Sequence, residues 1–305
     1  MAKIYCKAIA EDIKKEIINE AKTFERSPRL ATILVGDRAD SQTYVRNKEK
    51  TLINVGFDYE TYRFPSDVSQ EDLESKLLEL RVDNSIDGIL IQLPLPDHLD
   101  ADKLISMIPY YKDVDGLTEK NQAMLMTGKN WDDFIQPCTP LGIVKILEEQ
   151  YFFSSELDGM NVAVVGRSNL LGNPLAQMLM RKNMNVLHLH SKSFSGNMYS
   201  MKKMIGDFNP DIICLCTGQK NLLKSYHIIN SILDSTSVKT IIDAGIIRDE
   251  NGLRGDFKKE DYEDLDELGV YYTTVPGGVG VLTTTMLAYN LAKCFKLHMK
   301  NIPDL

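Results

Sequence analysis

Short apolar runs typical of buried β-strands alternate with amphipathic helical stretches through the first half of this chain. The runs are LATILVG (30–36), YETYRF (59–64) and DGILIQL (87–93), with helical patterns near residues 41–55 and 69–83 between them. This β-α-β-α-β order favours a parallel sheet, because parallel neighbours must be joined by a long crossover, usually a helix. Residues that act on a ligand are then expected at the carboxyl ends of the strands.

A second series of apolar runs follows a helix expected over residues 140–150. It comprises NVAVVG (161–166), NVLHLH (185–190), DIICLC (211–216), KTIIDAG (239–245) and VYYTTV (270–275). The sequence therefore predicts an α/β protein of two domains, one formed by residues 1–138 and 279–305 and the other by residues 139–278. The apolar helix near the end of the chain is expected to return to the first domain.

Composition narrows the class of protein. The 305 residues include 35 basic and 43 acidic side chains, and this net charge of −8 disfavours a binder of nucleic acid. The chain contains no apolar run of about 18 residues and no leader-like start, so we expect a cytoplasmic protein that does not enter a membrane. Its five cysteines lack the spacing of a zinc site or a disulfide framework, so we expect reduced thiols and no metal.

The segment VAVVGRSNLLGNPLAQML (162–179) combines a strand, a glycine turn and an amphipathic helix. A helix that begins at such a turn directs free backbone N–H groups towards a phosphate. The pattern departs from the usual dinucleotide fingerprint, because Ser168 occupies the middle glycine position and Gly166 and Gly172 are six residues apart. An ordinary strand-turn-helix with a solvated basic patch is the alternative.

The residues that follow the next strand indicate which dinucleotide would bind. NAD sites usually place an acidic residue there for the ribose hydroxyls, but this chain has His-Ser-Lys-Ser. The hydroxyl of Ser191 and the cations of Arg167 and Lys192 suit an additional 2′-phosphate, which favours NADP over NAD. His188 and His190 share one face of that strand, and without a third ligand nearby a structural role is favoured over metal binding.

A tyrosine-lysine pair and a single glutamine in the first half are candidates for chemistry. On a helix, Tyr44 and Lys48 share a face, where a lysine can relay protons and a phenol can contact a substrate ring, whereas Lys50 points elsewhere. Gln92 is a single amide at the end of an apolar strand, suited to a substrate or a neighbouring lysine. A solvated helix face and a capping glutamine are the respective alternatives.

Two loops complete the set of candidates. Asp113 and Asp115 stand in KDVDG (112–116), where a carboxylate can accept two N–H groups from a heterocycle, although acidic turns are common. VPGGVG (275–280) places three glycines between a strand and a helix, so that backbone can approach a ligand closely, or so that the chain can simply turn.

Taken together, these segments resemble one known family in order and spacing over nearly the whole chain. The resemblance is to the bifunctional methylenetetrahydrofolate dehydrogenase/methenyltetrahydrofolate cyclohydrolase family, and it rests on YVRNK, GILIQLPLP, KDVDG, PCTP, GRSNLLGNP, HSKS, TGQ and VPGGVG. It implies a three-layer α/β folate domain, a Rossmann-like NADP-binding domain, a folate cleft between them and a homodimer. The implied substrates are tetrahydrofolate derivatives with or without a polyglutamate tail, in the one-carbon metabolism that serves purine biosynthesis.

The resemblance also assigns roles to residues. Lys48 is implied as the general acid/base, chiefly of the hydrolytic step, Tyr44 as a border of the folate and Gln92 as the group that positions Lys48. With Asp115, which would hold the amino edge of the pterin, these four residues form the expected catalytic set. Oxidation spreads positive charge over two nitrogens, so we expect Lys48 to be substantially neutral in the productive complex.

The remaining implied contacts fall into two groups. The folate path would be lined by Leu93, Pro276, Gly277 and Gly278. The cofactor would be bound by Gly166, Arg167, Ser168, Gly172 and Ser191, with Thr139, Ile246 and Thr283 lining the rest of its site.

Three departures from the family pattern concern the cofactor side. Val281 stands where proline is usual, Lys220 follows TGQ, and the loop over residues 193–209 is long. These features leave room for an NAD-dependent dehydrogenase or for a cyclohydrolase alone. A folate- or nucleotide-binding module without catalysis is disfavoured, because binding alone requires no lysine beside a reacting carbon.

Overall fold

The structure is a computed structural model that describes residues 2–128, 130–151, 156–193, 198–218, 238–249, 252–257 and 261–301. Its helices are α1 (Cys6–Ala21), α2 (Ala39–Val55), α3 (Gln70–Val82), α4 (Ala101–Ser106), α5 (Glu119–Thr127), α6 (Cys138–Gln150), α7 (Gly172–Met180), α8 (Met198–Phe208), α9 (Asp261–Glu267) and α10 (Val279–Asn301). Its strands are β1 (Arg29–Val35), β2 (Asp58–Phe64), β3 (Gly88–Ile91), β4 (Asn161–Val165), β5 (Asn185–Leu189), β6 (Ile212–Leu215), β7 (Thr240–Asp243), β8 (Ile247–Asp249), β9 (Gly252–Arg254) and β10 (Tyr271–Tyr272).

The strands β1 to β3 form a parallel sheet in the order β2-β1-β3. Alternate residues of β1 enter different layers, as the two-residue period of a strand requires. Ala31 and Ile33 pack in a core with Leu73 and Leu77 of α3. On β3, a Cβ built on Gly88 would meet Leu291 of α10 and Val114, so a helix covers the other face as well. This confirms the expected three-layer α/β arrangement.

The second sheet is also parallel, with the order β10-β7-β6-β4-β5. The chain runs from β4 outward to β5 and then returns to the other side of β4 as β6. This reversal is the topological switch point at which open α/β sheets bind ligands, beyond the carboxyl ends of the strands. The Rossmann-like arrangement expected for the second half is confirmed.

The chain divides into two compact units. One comprises Met1–Ala10 with Thr139–Thr283, and the other comprises Glu11–Cys138 with Thr284–Leu305. The first ten residues, expected within the first domain, instead pack with the second sheet, because Ile4 N donates to Tyr272 O at 2.8 Å on the edge strand β10. The later part of α10 lies in the unit that contains β1 to β3, as expected for the returning helix.

In the unit that contains β1 to β3, buried polar groups lie at the edge of the sheet opposite the carboxyl ends of the strands. Asp87, just before β3, accepts hydrogen bonds from Arg26 at 2.6 Å and from Arg29 N at 3.0 Å, and it lies 2.9 Å from His298 Nδ1 on α10. Burial alone would raise the pKa of Asp87, but hydrogen bonds from His298 and Arg26 lower it. Lys112 is fully buried and donates to Asp83 O at 2.7 Å, so it satisfies backbone at the end of α3.

Two stretches differ from the sequence predictions. The segment after KDVDG, for which no helix or strand is predicted above, contains α5, which the Thr118 hydroxyl caps by accepting from Asn121 N. The prediction of a long loop over residues 193–209 is wrong, because α8 occupies most of that segment. The helix is amphipathic and buries Ile205 in the core of the second sheet. Lys220 and the glutamine of TGQ lie outside the described residues. No described helix is long and apolar enough to cross a membrane.

Candidate active site

Lys48 occupies a core-facing position of α2. The buried residues of this helix include Val45, Leu52 and Val55. Lys48 follows Val45 by three positions and precedes Leu52 by four, so its stem continues the apolar stripe of the helix. The side chain is half-buried, whereas Lys50, two residues further on, is exposed. The helix therefore directs one lysine towards the sheet and leaves the other in solvent.

The ammonium group of Lys48 meets Gln92 at the carboxyl end of β3. Lys48 Nζ donates to Gln92 Oε1 at 3.1 Å. Gln92 Nε2 donates to the carbonyl of Leu93 at 2.7 Å, which turns the amide oxygen towards the lysine. Gln92 is 93% buried, since its exposed fraction is 7%, and its own N–H continues the sheet ladder to Ile33 O. The amide is thus held at both ends and fixes where Lys48 Nζ lies.

Asp115 lies in the same neighbourhood and acts on the buried thiol of Cys138. Burial raises the pKa of Cys138, the negative charge and hydrogen bonding of Asp115 raise it further, and the Lys48 ammonium lowers it. Both charges therefore act on one sulfur atom. Asp115 itself is half-buried, while Asp113 is fully buried and accepts from Thr118 N and Asn121 Nδ2, each at 2.8 Å. Of the two carboxylates in KDVDG, only Asp115 is available to a ligand.

Asn290 of α10 secures the backbone around Asp115, and the sequence predictions missed it. Its Nδ2 donates to Val114 O at 2.9 Å and to Gln136 O at 2.8 Å, and lies 3.4 Å from Cys138 Sγ. Its Oδ1 is buried without a hydrogen-bond partner among the described residues. A signal was present, because Asn290 is an amide within the apolar run MLAYNLAKC (286–294).

The other residues expected near the folate lie in both units. Tyr44 is 37% exposed on α2, one turn before Lys48, and Leu93 is half-buried beside Gln92. Pro276, Gly277 and Gly278 belong to the unit of the second sheet and form the turn before α10. Gly277 has φ +94°, and a Cβ on Gly278 would lie 2.3 Å from Thr274 O, so both positions require glycine.

The turn between β4 and α7 has the close packing of a dinucleotide motif. A Cβ on Gly172 would lie 2.0 Å from Gly166 O, and a Cβ on Gly166 would lie 2.5 Å from Cys216 O. Leu171, which precedes α7, supplies no side-chain cap to the first turn of the helix. In that turn Asn173 N already donates to Ser168 O at 3.1 Å and Pro174 has no N–H, so the backbone at Gly172 is the part of the turn that can meet an anion.

Candidate phosphate ligands gather where β4 and β5 end. These strands pair Val165 with Leu189, so Arg167 and Ser191 each stand two residues beyond paired positions. Both are exposed, as is Ser168. Burial lowers the pKa of His190, and the charges of Arg167 and His188 lower it further. Since Arg167 acts on His190, the guanidinium lies near the end of β5. His188 Nε2 lies 2.7 Å from Gly166 O and supports the turn, in keeping with the structural role expected for it.

The last three predicted cofactor residues occupy two places in this unit. The hydroxyls of Thr139 and Thr283 lie 3.2 Å apart and share a hydrogen bond. Ile246 is 49% exposed, and its carbonyl lies 3.3 Å from where a Cβ on Gly218 would stand. Val281 lies in the first turn of α10 and is half-buried.

Other features of the described residues contribute nothing to this site. A cavity of about 430 Å³ is lined by side chains that include Phe24, Lys293 and Met299, and none of the predicted site residues lines it. The five cysteines are free and buried. No group of three or more possible metal ligands occurs within the described ranges.

The second sheet has a glycine turn at its switch point, and the three-layer unit holds a lysine hydrogen-bonded to a buried amide. Together they define a dinucleotide-binding α/β protein of two units. Sequence profiles identify the family within that class. Residues 4–115 match the catalytic domain of tetrahydrofolate dehydrogenase/cyclohydrolase, and residues 137–299 match its NAD(P)-binding domain. The chain belongs to the tetrahydrofolate dehydrogenase/cyclohydrolase family.

Individual relatives agree over nearly the whole chain. The bifunctional protein FolD of Listeria innocua is 36% identical over 294 residues, covering 95% of each chain. The crystal structure of the bifunctional enzyme FolD from Campylobacter jejuni superimposes with a TM-score of 0.82 at 34% identity, covering 96% of this chain and 98% of the other. A Trypanosoma brucei FolD structure, complexed with NADP cofactor and inhibitor, gives a TM-score of 0.77 at 30% identity over 95% and 94% of the two chains.

Proposed function

We propose that this protein oxidises methylenetetrahydrofolate to methenyltetrahydrofolate with NADP and then hydrolyses the product to 10-formyltetrahydrofolate. Membership of the family and the similarity to bifunctional FolD proteins support both activities. The single observation that carries the assignment is the hydrogen bond between Lys48 and Gln92 at the carboxyl end of β3.

Lys48 is the general acid/base of the hydrolytic step. Water that adds to the methenyl carbon loses a proton, and the bond to one ring nitrogen breaks as that nitrogen gains a proton. A single amine held near the carbon can take and return these protons. The amide oxygen of Gln92 holds Nζ in place by accepting its hydrogen bond.

The folate is bound by groups around this lysine. Asp115 accepts N–H groups from the amino edge of the pterin, since a carboxylate can take two such bonds side by side. Tyr44 offers an exposed ring one turn from Lys48 and borders the folate. Leu93, together with Pro276, Gly277 and Gly278, lines the path of the substrate.

The turn after β4 fits a dinucleotide phosphate. Gly166 and Gly172 have no room for a side chain, so a phosphate can approach the backbone of the turn closely. Arg167, Ser168 and Ser191 surround this turn with donors, and Arg167 and Ser191 suit a 2′-phosphate. Thr139, Ile246 and Thr283 line the remainder of the site. When bound, NADP supplies the acceptor for the hydride that leaves the methylene carbon.

The compartment, oligomeric state and metabolic role are inferred from the same family membership. We propose that the protein is a cytoplasmic homodimer acting in one-carbon metabolism, including the supply of formyl groups for purine biosynthesis. Its substrates are tetrahydrofolates, with or without a polyglutamate tail. The five free, buried cysteines agree with a reducing compartment.

A two-cofactor assay tests both activities. Methylenetetrahydrofolate is supplied with NADP or with NAD, and the formation and decay of the methenyl product are followed by absorbance. We expect NADP reduction to exceed NAD reduction at equal concentration, and the methenyl product to decay faster than in buffer. Absence of reduction with both cofactors would exclude the dehydrogenase, and decay at the buffer rate would exclude the cyclohydrolase. Size measurement by light scattering tests the dimer.

A further inference from the structure

Two aspartates outside the proposed chemistry lie beside the carboxyl ends of β6 and β7. Asp243 is the last residue of β7 and is fully buried. Asp256 follows β9, and its Oδ2 is buried without a hydrogen-bond partner in the described part of the chain. Glycines make room for both: a Cβ on Gly245 would lie 2.4 Å from Asp256 Oδ2, and one on Gly255 would lie 2.0 Å from Asp243 Oδ2.

Asp243 organises the backbone that carries Asp256. Its Oδ1 accepts from Gly245 N and from Asp256 N, each at 3.1 Å, and its Oδ2 accepts from Phe257 N at 3.0 Å. Three N–H groups from two turns therefore converge on one carboxylate. This fixes the turn after β7 and the segment after β9 relative to each other.

Asp256 extends the connection to the neighbouring strand. Thr217, beyond the end of β6, donates its hydroxyl to Asp256 Oδ1 at 2.9 Å. Burial raises the pKa of Asp256, while Thr217 and the backbone N–H of Gly218 favour its ionised form. Gly218 has φ +56° and packs against the carbonyl of Ile246. Asp256 thereby joins the turn after β6 to the turn after β7.

That junction borders the switch point of the sheet. The strands β4 and β6 are hydrogen-bonded neighbours, and Gly166 packs against Cys216 where they end. A dinucleotide bound at the glycine turn must therefore pass the next residues, Thr217 and Gly218. Their position determines the width of the crevice on the side opposite α7.

Two groups among the described residues act on the pair. Arg254 on β9 favours the ionised form of Asp256, and the thiol of Cys216 at the end of β6 faces both carboxylates. Burial, together with the charge of Asp256, raises the pKa of Asp243 to about 7.

We propose that Asp256 is a positioning residue for the dinucleotide. By accepting a hydrogen bond from Thr217, it fixes the turn over residues 216–218 beside Ile246, in the conformation that leaves space for the cofactor. The inference rests on the proposed dehydrogenase, which needs this site, and is independent of the hydrolytic step, which needs no hydride acceptor. Loss of the contact should weaken cofactor binding more than it slows hydride transfer.

Four purified variants test the role. Asp256→Ala removes the carboxylate, Thr217→Val removes the hydroxyl from the other side with little change in volume, and Asp256→Asn keeps one acceptor oxygen. Glu267→Gln alters an exposed acid on α9 and serves as the control. The KM for NADP, the dehydrogenase kcat and the cyclohydrolase activity without cofactor are measured for each, with circular dichroism as the check of folding.

We expect Asp256→Ala and Thr217→Val to raise the KM for NADP about tenfold, the effect of losing one hydrogen bond to a charged group. The dehydrogenase kcat and the cyclohydrolase activity should change less than about threefold, and Asp256→Asn should restore most of the affinity. A KM within about twofold of the parent in folded Thr217→Val would overturn the proposal, as would a parallel loss of both activities. If Asp256→Ala does not fold, Thr217→Val decides alone. Inactivity of the parent protein with both cofactors would instead refute the proposed dehydrogenase.

Discussion

Lys48 Nζ and Gln92 Oε1 are 3.1 Å apart, and this hydrogen bond joins the middle of α2 to the end of β3. Lys50, two residues away on the same helix, is exposed and provides a matched comparison. We expect Lys48→Met to lower the cyclohydrolase kcat at least about 100-fold, because the step loses its proton carrier. Lys50→Met should stay within about twofold of the parent. Full cyclohydrolase activity in folded Lys48→Met would contradict the assigned role.

Replacing Ser191 tests the choice of dinucleotide. In Ser191→Asp a carboxylate would face the 2′-phosphate of NADP, and we expect the KM for NADP to rise at least about tenfold because like charges repel. The KM for NAD should fall or stay unchanged, since a carboxylate suits the free ribose hydroxyls. Ser191→Ala, which removes only the hydroxyl, should have a smaller effect on NADP. An unchanged ratio of the two KM values in Ser191→Asp would place the 2′-phosphate elsewhere.

Gly172 and Gly280 offer a contrast in available space. A Cβ on Gly172 would lie 2.0 Å from Gly166 O, whereas one on Gly280 meets nothing within 4 Å. We expect Gly172→Ala to destabilise the protein by about 3 kcal/mol or more and to weaken NADP binding, because the glycine turn must open. Gly280→Ala, within α10, should stabilise it by up to about 1 kcal/mol. Thermal unfolding measures both, and equal melting temperatures for the two variants would show that the turn yields at little cost.

Asn290 should affect both stability and folate binding. In Asn290→Leu the carbonyls of Val114 and Gln136 lose their donor in a buried environment, at a cost of about 1–3 kcal/mol. Because Val114 precedes Asp115, we also expect the KM for the folate to rise several-fold. Asn301→Ala, at the exposed end of the same helix, should change stability by less than about 0.5 kcal/mol. Urea unfolding and folate kinetics provide the measurements. An unchanged folate KM in Asn290→Leu would show that Asn290 does not position Asp115 for the folate.

The buried carboxyl of Asp243 predicts a dependence of stability on pH. Its pKa is raised from 3.8 to about 7, so between these values the folded protein holds a proton that the unfolded chain has released. Stability from this group therefore falls as pH rises from about 4 to about 7, by up to about 1.4 kcal/mol per pH unit. Urea unfolding at pH 5, 6 and 7 should show that slope, and Asp243→Asn should lose it whatever its overall stability. The same slope in both proteins would assign it to another group.

Local patterns were sufficient for most of the architecture. Each apolar run proposed as a strand overlaps one, and the spacing of Gly166 and Gly172 marked the tight turn between β4 and α7. The period of an element is a property of consecutive residues, so hydrophobicity alone reveals it. The 193–209 segment was mispredicted as a loop because its polar start, which includes Gly196, obscured the amphipathic pattern of α8.

The order of motifs along the chain by itself identified the family and predicted which residue types carry its chemistry. Only the tertiary structure showed that Lys48 donates to the Gln92 amide and that Asn290 binds the backbone beside Asp115. It also showed that the charges of Lys48 and Asp115 both act on the thiol of Cys138. It also placed the first ten residues with the second sheet and brought Asp243 and Asp256 to one junction. These contacts join residues far apart in sequence, and each depends on burial and on distances of a few ångströms. Such distances are set by how helices pack on sheets, which no local pattern encodes.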